Sequence, residues 1–233
     1  MLKKIKNIFK IFLFNSGWIV KKKYKNKTYT NKEPTLETIE QILKSNGIIH
    51  MGAHRGTEAP VYDWFNKKTI WIEADPKVYL DLQINISQFI NQKAYNNLLY
   101  DKDNEKIEFF ISDNDGASSS IFKPGKDSQN IKMNEKKLLR TITLDSLLEK
   151  NNISSEDYNF WVMDLQGAEL LALKGAKHSL KYCKTILIEI SKEEQYINGA
   201  KWEDVKKILN EFNFKNKKEP TSSHEDVLFI KQI

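Results

Sequence analysis

Between residues 48 and 65 the chain reads IIHMGAHRGTEAPVYDWF, an apolar run followed by two glycines four positions apart, two histidines and acidic residues. Three chemistries use such a stretch. Paired glycines behind a buried strand let the backbone turn sharply and approach a ligand closely. Histidines with an acid could hold a metal. A strand-to-helix turn takes glycine for geometry alone. Gly52-Ala53-His54-Arg55-Gly56 is one glycine short of the dinucleotide fingerprint and differently spaced. The next acid separates these readings. Glu73 closes the apolar run TIWIE 21 positions after Gly52, near the roughly 20 at which an acid grips a ribose diol. Loop and acid together point to an adenosine-type cofactor.

Two more carboxylates close apolar runs: Asp164 after NFWVM and Glu189 after TILI. On adjacent strands they would open on one cleft, where either could take a proton from a hydroxyl, hold a cofactor's amino group or cap a helix. Among the histidines, His54 belongs to the glycine loop, His178 reads as solvated at a lysine-rich helix end, and His224 could reach an acceptor pocket. Asp164, Glu189 and a histidine could form a divalent-cation site, but no local ligand spacing supports one, so no metal is expected. Ser118 and Ser119 sit in a loop expected to face the active site. Glu169, Gly167 and the leucines of GAELLALKGA read as structural.

The elements that must position these residues alternate. PTLETIEQILKSNG places Leu36, Ile39, Ile42 and Leu43 on one helical face, with Thr35 as cap and Gly47 as stop. Strands are expected in GIIHM, TIWIEA, KAYNNLLY, KIEFFIS, NFWVMD, KTILIEIS and DVLFIKQI. Helices are expected in TEAPVYDWF, PKVYLDLQINISQFI, GAELLALKGAKHSL and WEDVKKILNEF. Residues 113–135, rich in Ser, Gly, Asp and Asn, read as a loop, with regular structure resuming at LRTITLDSLLEK. Strands apolar throughout and separated by helices imply a parallel sheet buried on both faces. The expectation is one doubly wound α/β domain over 31–233 behind a basic helical appendage over 1–30.

The chain has 233 residues, 40% hydrophobic and 29% charged, as a single globular domain requires. Its one cysteine, Cys183, excludes a disulfide framework and makes a cytoplasmic setting the economical reading. The net charge of +6 belongs to the leader: nine lysines and no acid lie in residues 1–27, and the remainder is mildly acidic. A nucleic-acid surface would carry its cations on the folded domain, so no nucleic-acid partner is expected. Leu2, Ile5, Phe9 and Phe12 recur at helical spacing between lysines, and Lys10 breaks the run below the ~20 apolar residues that a bilayer span needs. Two readings stay open: a helix packed on the domain, or a basic amphipathic helix in peripheral contact with the inner face of a membrane.

IIHMGAHRGTE, IWIEADP, DGASSSI, TITLDSLL and MDLQGAELLALKGA follow in the order and spacing of the FkbM-type methyltransferases, and the chain resembles that family over roughly residues 46–231. Its most specific part is Asp164-Leu-Gln-Gly-Ala-Glu169 followed by Leu173-Lys-Gly-Ala176. The resemblance implies a class I methyltransferase fold, Rossmann-like, with a seven-stranded sheet ordered 3-2-1-4-5-7-6 and strand 7 antiparallel. It implies S-adenosyl-L-methionine as cofactor and O-methylation, often of sugars in surface glycans, hence a carbohydrate or glycolipid acceptor. Carried over by position, Gly52, Ala53, His54 and Gly56 would wrap the methionine half of the cofactor. Glu73 would hold the ribose, with Ala74 beside it, and Asn97 would lie near the adenine. The base would be Asp164 or Glu189. His50 stands where the family commonly has an acid, and Gln166 where many members have glutamate. A catalytically silent domain that keeps the fold remains an alternative. So does an NAD-type oxidoreductase, against which the missing third glycine and the absent Tyr-x-x-x-Lys argue.

Overall fold

The computed structural model describes residues 34–126, 130–221 and 225–232. The leader and His224 lie outside them. Helix α1, Leu36–Lys44, starts where expected: the Thr35 side chain accepts from the Thr38 N–H, satisfying one of the first-turn donors. It buries Ile39 and Ile42, while Leu36 is exposed. It stops at Ser45, earlier than the Gly47 expected. Gly47 opens strand β1, Gly47–Met51, where a side chain would strike the Asp157 carbonyl. Next come α2 (Ala59–Trp64), β2 (Lys68–Glu73), α3 (Pro76–Ile86) and β3 (Gln92–Asn96). Asp75 caps α3 by accepting from Lys77 N, and Pro76 sits in the first turn, where no backbone donor is needed.

The large sheet continues with β7 (Phe160–Met163), β8 (Thr185–Ile190), β9 (Phe214–Asn216) and β10 (Glu225–Lys231). Its order is β3-β2-β1-β7-β8-β10-β9, parallel except for β10, which runs antiparallel to β8 and β9. Numbered within the sheet this is 3-2-1-4-5-7-6 with the seventh strand reversed, as the resemblance implies. Aromatic and branched side chains fill both faces. Trp161, Ile186 and Phe229 join one cluster with α4 (Leu144–Lys150), α5 (Glu169–Lys174) and α6 (Trp202–Glu211); Ile48, Trp71 and Phe160 join the other with α1, α2 and α3. Each fully buried side chain of this size contributes roughly 1.5–3 kcal/mol.

Three expectations change. KAYNNLLY divides at Asn97 into β3 and the short β4 (Leu98–Leu99). Residues 133–135 belong to β6, Met133–Ile142, which pairs antiparallel with β5, Lys106–Ser112, in a separate three-stranded sheet. GAELLALKGAKHSL is α-helical only over α5, followed by a 3-10 turn at Ser179–Lys181, and at its end Gly175 lies so close to the Tyr100 carbonyl that a side chain would clash with it.

Candidate active site

The carboxyl ends of β1, β2 and β7 are stitched together by backbone. Gly52 and Ala53 both donate to the Ile72 carbonyl at 3.0 Å, and Asp164 N–H donates to Met51 O at 3.0 Å. Gly52 has φ +77°, and a Cβ there would fall 1.7 Å from the Asp164 carbonyl oxygen. Only glycine satisfies both conditions. Gly56, at φ +67°, is packed against Leu82 of α3. Gly56 and Ala53 are buried and shape the loop without lining the space it encloses.

That space is a cavity of about 60 Å³ lined by Gly52, His54, Glu73, Ala74 and Asn97, with apolar walls from Ile72, Leu98, Phe109 and Ile121 and with Asp164 and Gln166 at one end. Glu73 is buried. Its carboxyl accepts the N–H of His54 at 2.7 Å and of Asp75 at 2.8 Å, and burial, only partly offset by these bonds, pushes it up to about 7. Asn97 N–H donates to the Glu73 carbonyl. The 113–121 loop closes the other side. His54 Nε2 donates to Asp115 O at 3.0 Å, and Arg55 pairs with Asp115 at 3.6 Å. Ser119 lines the cavity, whereas Ser118 takes the Asn114 amide. The slot thus offers apolar walls and, at Glu73, a buried carboxyl that could accept hydrogen bonds from a bound group's hydroxyls.

Asp164 and Glu189 do converge, from the adjacent parallel strands β7 and β8. Gln166, at φ +52°, spans them: Nε2 donates to Asp164 Oδ1 and, at 3.0 Å, to Glu189 Oε2. Gln166 Oε1 accepts the Tyr196 hydroxyl at 2.6 Å, and its carbonyl accepts Ser120 Oγ at 2.7 Å. Burial first, then the charge and hydrogen bond of Glu189, raise the Asp164 carboxyl well above the usual range. Glu169 keeps to structure, accepting the N–H groups of Leu165 and Gly167 from its place at the start of α5. Tyr196 is invisible to sequence reasoning, lying in a stretch without periodicity, and Ser120, although it lies in DGASSSI, has no role assigned there; only the fold brings them to Gln166.

His50 faces away from this cavity. It stacks on Trp71 at 4.8 Å between centroids, and its Nδ1 lies 3.2 Å from the Tyr62 hydroxyl. Burial lowers its pKa, so the ring is neutral. It lines a second cavity, about 410 Å³, beneath β1 and β7 and walled by Thr38, Thr57, Glu58 and Asp226. Asp164 borders both cavities. His178 is exposed, edge-on to Tyr182. Among the described residues no group of three or more His, Cys, Asp or Glu could hold a metal ion, and no helix is long and apolar enough to cross a membrane.

Residues 50–216 match the model of the methyltransferase FkbM domain. The chain belongs to the FkbM methyltransferase family. It is therefore an S-adenosylmethionine-dependent methyltransferase, and its sheet is the class I sheet. No curated protein matches it in sequence. Among solved structures it is similar to magnesium protoporphyrin IX methyltransferase from Synechocystis with bound S-adenosylmethionine, at 8% identity over 97% of each chain, TM-score 0.45. It is also similar to Aeropyrum pernix fibrillarin with S-adenosyl-L-methionine natively bound, at 12% identity over 81% of this chain and 68% of that one, TM-score 0.46. A third is precorrin-6y C5,15-methyltransferase from Geobacter metallireducens, at 8% identity over 92% and 100%, TM-score 0.45.

Proposed function

We propose that this FkbM-family methyltransferase methylates a hydroxyl, with a sugar of a surface glycan or its precursor as the acceptor. The observation that carries the reading is Asp164, which borders both the smaller and the larger cavity and is joined through Gln166 to Glu189. A hydroxyl is a poor nucleophile until its proton can leave, and a carboxyl whose pKa its surroundings raise is a suitable base once ionised. In this assignment Glu73 holds the ribose, Ala74 and Asn97 flank the adenosine, and the loop from Gly52 through Ala53 and His54 to Gly56 turns around the methionine half. S-adenosylmethionine supplies the methyl group on a sulfonium sulfur. The acceptor enters through the larger cavity, whose threonine hydroxyls, neutral imidazole and carboxylates suit a polyhydroxylated molecule. With S-adenosylmethionine bound, the methyl group would pass from sulfur to the acceptor oxygen, and the Asp164–Glu189 pair would take the hydroxyl proton.

The test is mass spectrometry of nucleotide sugars and glycan fractions incubated with the enzyme and S-adenosylmethionine. A gain of one methyl on a sugar oxygen is expected, and turnover should fall ~10²–10⁴-fold in Asp164→Asn. Methylation confined to carbon or nitrogen would overturn the reading. Near-normal turnover in Asp164→Asn with collapse in Glu189→Gln would move the base to Glu189. Cofactor binding without any methylated product would favour a silent domain.

A further inference from the structure

We propose that Gln166, held by Tyr196, is the positioning residue that bridges the Asp164 and Glu189 carboxyls and sets how readily the pair gives up its second proton. This rests on the hydroxyl-methylation reading above. The amide can adopt only one orientation. Its two N–H donors meet the two carboxyls and its carbonyl oxygen meets the Tyr196 hydroxyl at 2.6 Å. A flipped amide would set a carbonyl oxygen against both acids. The main chain is fixed as well: Gln166 is held at φ +52° by Ser120 Oγ, which donates to its carbonyl at 2.7 Å.

The consequence is electrostatic. Every titratable group packed against Asp164 opposes its ionisation: Glu189 from β8, Glu169 from α5, and burial itself. From the loop before α6 comes Tyr196, whose hydroxyl burial keeps protonated. Gln166 alone favours the charged form, because donated hydrogen bonds stabilise a carboxylate. Without that amide the pair would hold two protons over a wider pH range and could accept none from a hydroxyl. Tyr196 acts at one remove, by fixing which end of the amide faces the acids.

Infrared spectroscopy of the full-length protein can count protonated buried carboxyls across pH 5–9, with Asp164→Asn assigning the band. We expect Gln166→Met, which keeps length and removes the amide, to move the second ionisation of the pair up by on the order of one pH unit. Tyr196→Phe should move it in the same direction by less. Gln166→Glu should add a protonated carboxyl in the same range. A midpoint unchanged in folded Tyr196→Phe and Gln166→Met would overturn the proposal. If Gln166→Met fails to fold, Tyr196→Phe with Gln166→Glu decides. No acceptor is needed for this measurement. A shifted band in a protein that methylates no hydroxyl would preserve the clamp and refute only the base assignment.

Discussion

Glu73 carries a pH dependence whose sign can be worked out. Burial holds its carboxyl up to about 7, so near neutrality a fraction is protonated when the cofactor arrives. Ribose hydroxyls donate to a carboxylate and favour its charged form. Binding should therefore release protons, and S-adenosylmethionine affinity should rise as pH increases from about 5 to 7 and level off above. Calorimetry in two buffers of different ionisation enthalpy reads the released proton directly. Glu73→Gln should flatten the slope and weaken binding by on the order of 1–3 kcal/mol. Unchanged affinity in the folded variant would refute the ribose assignment. The apo protein follows the opposite course. A carboxyl whose folded pKa is raised contributes stability below its unfolded value of 4.5, and that stability is lost as pH rises through about 7. Glu169, also raised to about 7 by burial, adds to that loss. His50 works against it, since its lowered pKa penalises acidification.

The junction of β1 with the glycine loop is where an element governs the site. The Gly52 backbone lies so close to the carbonyl after β7 that a Cβ would sit 1.7 Å from it. Gly52→Ala must therefore push two strand ends apart and hold alanine at φ +77°. We expect a loss on the order of 3 kcal/mol or more, together with weakened cofactor binding, since the same displacement moves Asp164. Denaturant unfolding and cofactor titration of one variant check both. A variant as stable as the parent would mean that the strand ends yield without cost. Much of this neighbourhood was legible beforehand. The acids of TIWIE and NFWVMD stand at strand ends because a fully buried parallel strand can place a charge only where it emerges.

At the scale of the molecule the net positive charge is concentrated in the first 27 residues of the sequence. Nine lysines occupy residues 1–27, whereas the cavities open among Glu58, Glu73, Asp164 and Asp226, with Lys217 and Lys218 at the larger one. Peripheral attachment to an anionic membrane through that leader would place the enzyme where a lipid-linked acceptor resides. Each lysine near such a surface contributes ~1 kcal/mol. Full-length protein should bind anionic vesicles in a salt-sensitive way, and deletion of residues 1–30 should abolish that binding and leave cofactor affinity intact. Indifference of the full-length chain to anionic vesicles at low salt would remove the support for a lipid-linked acceptor and favour a nucleotide sugar.

Periodicity and strand-end acids determined on their own the alternation of helices and strands, the cofactor class and the convergence of Asp164 with Glu189. These features are local: apolar runs, a glycine loop and an acid 21 positions on can be read one segment at a time. Other features were decided by long-range packing. Strand β6 extends back to Met133 because β5 offers it a partner. Helix α5 ends early at Gly175, which lies against the Tyr100 carbonyl. His50, on a strand whose side chains alternate between faces, turns away from the smaller cavity to stack on Trp71 and line the larger one. Tyr196 reaches Gln166 from 30 positions away. No local pattern encodes such a contact, because it exists only once β7, β8 and the loop that follows β8 are folded against one another.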